Sequence, residues 1–448
     1  MRQFGVILHH PFAEITLTTD IMKITLSKTA VLAVTLLLFA GCSGHRSFVT
    51  VSDGHFVRDG KPYTYIGTNF WYGPILASEG QGGNLGRLAR ELDTLKSLGI
   101  DNLRVLVGGD GPDGVYSRIE PTLQKAPGVY NDTLLTGLDR FLVEIGKRDM
   151  QAVLFLNNSW EWSGGYGQYL EWATGEPALI PLKAGYWPFM QQMAKFSVCE
   201  PARQLFFDHL KAIVGRTNSI TGKPYRDDPA IFAWQIGNEP RCFSDDPAVR
   251  DGFIAWLTEA ARLIKEIDPN HMVSTGNEGL MGCEGDPALL ERVAAIPGID
   301  YMTIHIWPYN WSWVHAESMA EDLPSALEKT DEYVCSHAEL AAGYGLPLVV
   351  EEFGFPRDGF SPERTASTEG RDAYYRHLFD KVGKELAGAN FWGWSGFAVP
   401  KHTEWQKGDD YAGDPAQEAQ GLNGVYVDDT TVDLIRQSIS TLTLNQTK

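Results

Sequence analysis

The amino-acid sequence predicts a closed parallel (β/α)8 barrel, the TIM-barrel fold, with long βα loops and a small N-terminal β-hairpin. The first observation is that eight apolar runs of strand length alternate with eight stretches that carry apolar residues at helical spacing. Such alternation indicates parallel strands joined by right-handed crossovers. The second observation is that two of the runs, residues 230–240 (AIFAWQIGNEP) and 346–354 (LPLVVEEFG), deliver glutamates at or near their ends. Functional groups of barrels lie at the carboxyl ends of the strands, so we expect these two ends to meet at one face.

The length and composition favour one large domain, which we predict over residues 43–448. Barrels of this class extend from about 250 to more than 400 residues when they carry insertions. The 448-residue chain is 43% hydrophobic and contains 13 Trp, which suits either a large core or a cleft that stacks on sugar rings. The formal net charge of -19 argues against nucleic acid or an acidic polymer as the partner and favours a neutral one.

The amino terminus predicts an export signal rather than part of the fold. A positively charged stretch precedes an apolar run, residues 30–40, that is too short to cross a membrane. We predict that residues 1–42 are a signal peptide, and we expect translation to begin at Met22. The final FAGC resembles a bacterial lipobox, with Phe39 where Leu is usual, so Cys42 is the expected lipid anchor and the expected link to the cell envelope. The alternative is cleavage elsewhere and a protein released to the periplasm or medium.

Four cysteines follow residue 42, and their spacing matches no metal-binding motif. Export permits disulfides. We expect Cys242 and Cys283 to be the pair, since they lie on neighbouring loops of the predicted barrel. The sequence shows no nucleotide-binding fingerprint. We therefore expect no metal, no other cofactor and a monomeric protein.

The predicted elements begin with the hairpin and three strand–helix units. Residues 48–51 and 55–57 are joined across Asp53-Gly54, a turn signal, and this hairpin would cover one end of the core. The first three strands are predicted at 63–72, 102–107 and 151–156, and their helices at 85–98, 132–148 and 201–216.

The segment from residue 157 to 200 breaks this rhythm, because connections in such folds usually have about two to six residues. Its large aromatic residues include Trp160, Trp162, Tyr166, Trp172 and Trp187. A segment this aromatic is not typical of disorder, and we interpret it as a wall of a binding cleft. Gly164-Gly165 would allow a sharp turn between the aromatic side chains.

The second half of the chain completes the barrel. The fourth to eighth strands are predicted at 230–240, 272–275, 301–306, 346–354 and 389–394. The remaining helices are predicted at 248–267, 287–293, 323–344, 371–386 and 431–440. A polar loop at 395–425 is expected to form a second wall of the cleft.

Glu239 and Glu352 follow the fourth and seventh strands, which lie roughly across the barrel mouth from each other. A retaining glycosidase needs two carboxyl groups about 5 to 5.5 Å apart, one protonated and one ionised. A single glutamate at a strand end is more often solvated or salt-bridged, but two in these positions indicate acid/base chemistry. Glu351 is a second candidate on the seventh strand, and alternation along the strand turns it to the other side from its neighbour.

With Asn-Glu-Pro after the fourth strand and Glu-Phe-Gly after the seventh, the chain resembles glycoside hydrolase family 5 of clan A, in its β-mannanase and exo-β-mannosidase branch. The resemblance covers nearly the whole mature chain. It implies a retaining hydrolase that cleaves β-1,4-mannosidic linkages in mannans and manno-oligosaccharides, within the chain or at its ends. It also implies that Glu239 is the acid/base, that Glu352 is the nucleophile, and that Asn238 holds the sugar 2-hydroxyl.

The resemblance implies roles for further residues around the two glutamates. Arg104 would hydrogen-bond the nucleophile and keep it ionised, with a structural salt bridge as the alternative. His305, in TIHIW, matches the active-site histidine of the family, and Trp394 matches the aromatic platform under the sugar. The other expected sugar contacts are Trp71, Tyr72, Trp160, Arg241 and Trp307, with core packing as the alternative for Trp71 and Tyr72.

One position departs from the family pattern. Many members carry a tyrosine two residues after the active-site histidine, where it hydrogen-bonds the nucleophile, and this chain has Trp307 there. Either Tyr309 substitutes or the site functions without that bond. This feature and the segment SWEWSGGYGQY resemble a subgroup that includes exo-acting β-mannosidases.

Three alternatives follow from the sequence. A β-1,4-glucanase of the same family stays open, because the motifs do not separate mannan from glucan. A non-catalytic carbohydrate-binding surface lipoprotein would keep the tryptophans and lose a carboxylate, and both carboxylates are present. A metal-dependent barrel hydrolase would need His-x-His after the first strand, where this chain has Asn-Phe-Trp.

Overall fold

The computed structural model describes residues 47–446, in which eight parallel strands are surrounded by helices. The strands, β1 to β8 in chain order, are Tyr65–Asn69, Asn102–Leu106, Gln151–Phe155, Ile231–Gln235, Met272–Ser274, Met302–Ile306, Leu348–Phe353 and Gly388–Phe391. Hydrogen-bonded neighbours follow the order β5-β4-β3-β2-β1-β8-β7-β6. Between β5 and β6, the Asp300 amide donates to Val273 O at 2.8 Å, and the Asp300 carboxylate accepts from the Val273 amide at 2.7 Å. The predicted barrel is confirmed.

The helices that follow the strands, α1 to α8, are Leu85–Leu98, Asp132–Lys147, Glu200–Val214, Pro247–Ile267, Pro287–Ala294, Met319–Gly343, Glu369–Phe379 and Thr430–Gln446. Helix α1 shows why the sequence sets these bounds. The Asn84 side chain accepts from the Arg87 amide at its start, and Gly99 ends it with a φ of 90°. Helix α7 ends earlier than expected, because Gly383 adopts a φ of 85° and its amide turns back to Leu386 O.

The N-terminal strands form a three-stranded antiparallel sheet, Thr50–Ser52, His55–Arg58 and Lys61–Pro62. Phe56 is fully buried, and its ring lies 5.2 Å from Phe232, 5.5 Å from Tyr301 and 6.4 Å from Tyr65 between centroids. These partners lie at the amino ends of their strands. The hairpin therefore covers the amino-terminal end of the barrel, as expected, and leaves the other end open for a site.

The segment between β3 and α3 is structured. It contains the helices Gly165–Thr174, Pro181–Ala184 and Tyr186–Met193 and the 3-10 turns Glu161–Ser163 and Ala194–Val198. The predicted sharp turn is present, since Gly164 and Gly165 have φ values of 89° and 48°. A Cβ on Gly164 would lie only 2.0 Å from Asp110 O. Tyr166 is not in the cleft: its ring stacks on Phe196 at 4.1 Å and packs inside the segment.

The remaining short elements lie in loops. They are the helix Gly73–Leu76, the strand pairs Gln124–Ala126 with Val129–Tyr130 and Trp394–Gly396 with Val425–Tyr426, and the 3-10 turns Tyr225–Asp227, Met281–Cys283 and Asp358–Phe360. Within residues 47–446, no helix is both long enough and apolar enough to cross a membrane. The predicted signal peptide and lipobox, residues 1–42, lie outside the described residues.

The expected disulfide between Cys242 and Cys283 is not formed, and both are free, buried thiols. Each thiol interacts within its own loop instead. Cys242 Sγ donates to Ser244 O at 3.3 Å, and Cys283 Sγ lies 3.6 Å from Asn277 Oδ1.

Candidate active site

Two buried glutamates lie at the carboxyl end of the barrel. Glu239 follows β4 and Glu352 belongs to the end of β7. One oxygen from each carboxylate and a ring nitrogen of His305 all lie within 4.8 Å of one another. Retaining glycosidases hold their carboxyl groups about 5 to 5.5 Å apart, whereas inverting enzymes leave about 6.5 to 9.5 Å for a water molecule. The pair therefore has the spacing of a retaining enzyme.

Arg104 on β2 links the groups around Glu352. Its guanidinium is fully buried and donates from Nη1 to Glu352 and to Asn69 Oδ1, the latter at 3.0 Å. It also donates to Asn238 Oδ1 at 2.7 Å and to Gln235 Oε1 at 2.8 Å. A buried guanidinium needs acceptors on every side. Arg104 therefore orients both Glu352 and Asn238, two of the residues expected in the site.

Glu351 lies deeper in the barrel than Glu352. It accepts hydrogen bonds from the Gln235 amide and, at 3.0 Å, from the Tyr301 hydroxyl, and it lies 3.6 Å from Arg104 Nε. The pocket is lined by Glu352 and not by Glu351. Glu351 and Glu352 both contact Arg104, so they do not lie on opposite sides of the strand as expected. Their depth in the barrel distinguishes them.

Glu239 is held from two sides. His305 Nδ1 lies 2.7 Å from one oxygen of Glu239 and 3.4 Å from an oxygen of Glu352, and the Trp160 indole N–H donates to the other oxygen of Glu239. Glu239 has a φ of 49°, which is uncommon for a residue with a side chain and recurs at functional sites. The carboxylate is thereby aimed into the pocket beside Glu352.

Burial shifts the titration of these groups. It lowers the pKa of His305 to about 4, so the imidazole is neutral at pH 7. It raises the pKa of Glu352 well above its usual range, with Arg104 opposing the rise. Burial also acts to raise the pKa of Glu239, but the hydrogen bonds from His305 and Trp160 outweigh it and lower that pKa. The two carboxyls thus have a pH range in which they share a single proton.

The pocket has a volume of about 510 Å³, within the range of small-molecule sites. Four of the predicted sugar contacts line it, namely Asn238, Trp160, Arg241 and Trp307. Arg104 and His305 lie behind the carboxylates that they contact. Arg104 donates to Glu352, so a cation bound by Glu239, His305 and Glu352 would lie beside the positive charge of its guanidinium.

Trp394 is not brought to the pocket, which corrects the expectation for this residue. It is fully buried, and its indole N–H donates to Glu91 at 2.7 Å. Strand β8 ends at Phe391, three residues earlier than predicted, so Trp392 lines the pocket in its place. The FWGW sequence contains both tryptophans, and only the position of the strand end separates them.

Trp71 and Tyr72 are also buried away from the pocket, so the packing alternative holds for both. Trp71 donates to Gly413 O and Tyr72 to Trp394 O, each at 2.9 Å. Tyr309 does line the pocket, but its hydroxyl accepts from the Asn423 amide at 3.1 Å, and among the described residues it donates no hydrogen bond to Glu352.

Further pocket residues, among them Tyr186, Glu418 and Glu278, had no signal in the sequence that distinguished them. Tyr186 lies in the aromatic segment and Glu418 in the polar loop, but neither stood out from its neighbours. Glu278 follows β5, and its carboxylate lies 3.4 Å from Arg241 Nη1. Burial, together with the nearby carboxylates, raises the pKa of both Glu278 and Glu418 to about 8. The pocket therefore holds two acids, besides the pair, that are largely neutral at pH 7.

Comparison with known proteins agrees with this geometry. Residues 46–447 match the family described as GH family 5 beta-mannosidase-like. The crystal structure of the Glycoside Hydrolase Family 5 Mannosidase from Rhizomucor miehei is 34% identical, with a TM-score of 0.82, and the match covers 90% of this chain and 99% of that one. A variant of that enzyme, solved in complex with mannosyl-fructose, matches with a TM-score of 0.82 at 33% identity, covering 89% of this chain and 98% of that one.

Two relatives from Oryza sativa subsp. japonica carry the name mannan endo-1,4-beta-mannosidase. One is 32% identical over 379 residues, which cover 81% of this chain and 85% of the relative. The other, mannan endo-1,4-beta-mannosidase 1, is 29% identical over 377 residues, which cover 78% of each protein. From its matched span, its barrel and its paired carboxylates, the chain belongs to glycoside hydrolase family 5, in the β-mannosidase-like group, and is a glycoside hydrolase.

Proposed function

We propose that the protein is a retaining exo-acting β-mannosidase that releases mannose from the non-reducing ends of β-1,4-linked manno-oligosaccharides. The observation that carries the proposal is that two long loops line the same pocket as the carboxylate pair. Trp160, Trp162 and Tyr186 come from the loop after β3, and Gln417 and Glu418 come from the loop after β8. A pocket walled in this way holds a chain end, whereas an endo-acting enzyme needs a cleft open at both ends.

In the first step, Glu352 attacks the anomeric carbon while Glu239 protonates the departing glycosidic oxygen. This forms a covalent glycosyl-enzyme. In the second step, Glu239 takes a proton from water, the water attacks the same carbon, and the sugar leaves with its configuration retained. Asn238 accepts from Arg104 at 2.7 Å, and we infer that it binds the 2-hydroxyl, a contact that strengthens in the transition state.

The reaction needs the shared proton on Glu239, although the hydrogen bonds of the site favour ionised Glu239. We infer that substrate binding moves the proton. Attack requires Glu352 to be ionised, and Arg104 stabilises that form. The neutral His305 contacts both carboxyls, so it can retain a hydrogen bond to Glu239 in either protonation state by changing its tautomer.

The test is to follow the products of mannohexaose that carries a label at its reducing end. An exo-acting enzyme shortens the labelled chain by one unit at a time, and mannose is the early unlabelled product. Early unlabelled oligosaccharides would instead identify an endo-mannanase, the activity in the names of the rice relatives. The same assay with cello-oligosaccharides distinguishes a mannosidase from the β-1,4-glucanase alternative.

We further propose that the protein is exported as a lipoprotein anchored through Cys42, with residues 43–448 as one catalytic domain that acts as a monomer. The sequence FAGC after the apolar run supports the anchor. Mass spectrometry of the mature amino terminus tests it, with Cys42→Ser as the control. A mature protein that begins at another residue and carries no acyl chain would refute the anchor, and light scattering measures the oligomeric state.

A further inference from the structure

We propose that Ser159 is a positioning residue for the acid/base, because its hydroxyl fixes the peptide group from which the Glu239 carboxyl is aimed at the glycosidic oxygen. The Ser159 hydroxyl donates to the main-chain carbonyl of Glu239, and Ser159 is fully buried. It acts through Glu239 rather than on the sugar. Ser159 has this role only if Glu239 is the acid/base, as proposed above.

The backbone at Glu239 needs support from its surroundings. Its φ of 49° lies in the left-handed region, which costs a residue with a side chain about 1 to 3 kcal/mol and persists only where other contacts hold it. The next residue is Pro240, which has no amide hydrogen. The peptide group between the two residues can therefore be held only through the Glu239 carbonyl. Among the described residues, Ser159 is the only donor to that carbonyl.

Ser159 is itself held in register with the segment that carries Glu239. The loop after β3 continues the pairing with the loop after β4 beyond the strand ends. The Asn238 amide donates to Asn157 O at 2.7 Å, and the Ser159 amide donates to Asn238 O at 3.1 Å. On the side of β5, the Glu239 amide donates to Gly276 O at 3.0 Å. The backbone of Glu239 is thus fixed from both neighbouring strands, and Ser159 supplies the contact to its carbonyl.

Ser159 and Trp160 hold the two ends of the same residue. The hydroxyl contacts the main-chain carbonyl of Glu239, and the indole N–H contacts its carboxylate. The segment is braced by Asn158, whose Oδ1 accepts from the Trp160 amide and whose Nδ2 donates to Ser163 Oγ, each at 3.0 Å. Loss of the indole bond changes the pKa of Glu239, whereas loss of the Ser159 bond changes where the carboxyl lies.

A misplaced acid slows some reactions and not others. A positioned general acid contributes about a hundredfold to ten-thousandfold, and a displacement of about 1 Å can cost about a hundredfold. The sugar that leaves from an oligosaccharide needs a proton, whereas dinitrophenolate leaves without one. Formation of the glycosyl-enzyme from a dinitrophenyl β-mannoside is therefore insensitive to the position of Glu239. Hydrolysis of that intermediate still needs Glu239 as the base.

The test measures kcat and kcat/KM of Ser159→Ala on a manno-oligosaccharide and on a series of aryl β-mannosides. We expect kcat/KM to fall about tenfold to a hundredfold on the oligosaccharide and less than about threefold on the dinitrophenyl mannoside. Azide should raise kcat on the dinitrophenyl mannoside and give β-mannosyl azide, because it attacks the glycosyl-enzyme without a base. Ser159→Cys keeps a weak donor and should recover part of the activity on the oligosaccharide.

Ser395→Ala is the matched control. Ser395 is also fully buried, and its hydroxyl accepts from the Gly413 amide at 2.9 Å in the loop after β8. This variant loses a hydrogen bond between a serine and the backbone, as Ser159→Ala does, so its melting temperature should fall to a similar extent. Its dependence of kcat/KM on the leaving group should stay at the wild-type value.

The positioning role is overturned if Ser159→Ala loses kcat/KM equally on the oligosaccharide and on the dinitrophenyl mannoside, or loses it on neither. If circular dichroism shows that Ser159→Ala does not fold, the same comparison on Ser159→Cys decides. Glu239→Ala separates the two levels. If Glu239→Ala shows the stronger leaving-group dependence and azide rescue but Ser159→Ala does not, only the role of Ser159 is wrong. If Glu239→Ala shows neither, the acid/base assignment itself fails.

Discussion

Trp160→Phe offers a direct test of how the acid/base is tuned. The change keeps an aromatic ring next to Phe189, which lies 5.9 Å away in the structure. It removes the five-membered part of the indole, with the N–H that donates to Glu239. A hydrogen bond to a charged group contributes about 1.5 to 3 kcal/mol, and one pKa unit corresponds to about 1.36 kcal/mol. Because the His305 contact remains and takes over part of the stabilisation, we expect the pKa of Glu239 to rise by about one unit.

The sign of the effect follows from the role of Glu239. Its ionised form loses a donor, so its pKa rises, and the basic limb of the pH profile, where the acid loses its proton, moves to higher pH. The acid limb, where Glu352 becomes protonated, should move little. The assay is kcat against pH with a manno-oligosaccharide, since kcat reports the enzyme–substrate complex, in which the proton is on Glu239, and the leaving group of this substrate needs the acid. The height of the profile can fall through lost sugar contact without moving its limbs.

Trp162→Phe is the matched control, because Trp162 also lines the pocket but, among the described residues, donates no hydrogen bond to Glu239. It should leave both limbs in place. A basic limb that stays unchanged in Trp160→Phe, or that moves equally in both variants, would refute the assignment of the indole bond as the cause. Apparent pKa values from these profiles belong to the coupled pair.

Three further outcomes are expected. Glu239→Ala and Glu352→Ala should each reduce turnover of oligosaccharides by about a hundredfold to ten-thousandfold, and azide should rescue only Glu239→Ala on an activated aryl mannoside, giving a retained azide product. Rescue of Glu352→Ala with retention would reverse the two roles. Tyr186 lines the pocket wall and its side chain is 53% exposed. Tyr186→Ala should lower kcat/KM on mannobiose about threefold to tenfold and increase internal cleavage of long mannan. An unchanged product pattern would show that this ring is no barrier. Phe56→Ala should reduce the free energy of unfolding by about 3 to 5 kcal/mol, seen as a lower melting temperature, while kcat at low temperature stays at the wild-type value; a loss of kcat in folded protein would contradict its purely structural role.

The two glutamates of the pocket could be located from the sequence because their signals are local. An apolar run followed by Asn-Glu-Pro or Glu-Phe-Gly gives both a buried strand and the position of its end, and parallel strands bring their carboxyl ends to one face. The resemblance to a family indicated Arg104, and a guanidinium inside an apolar strand also needs buried acceptors. The resemblance to a family then separated Glu352 from Glu351, a choice that the difference in depth now supports.

The expectations that were not met depended on where a strand ends or on which distant groups meet. Trp392 lines the pocket in place of Trp394 because β8 stops at Phe391. A strand end shifted by a few residues changes which side chain faces the pocket. Tyr166 is aromatic and near the site in sequence, but its ring stacks on Phe196 and does not face the pocket.

The sequence by itself determined the barrel, the order of its elements and the two glutamates, because these follow from hydrophobic periodicity and from motifs within about ten residues. Only the tertiary structure decided how the pocket is walled. Glu418 faces the same pocket as Glu239 and Tyr186 although long stretches of sequence separate them. The physical reason is that loop positions are set by side-chain packing and by hydrogen bonds between remote segments, such as the Asp414 carboxylate with three amides, and no local pattern encodes those contacts.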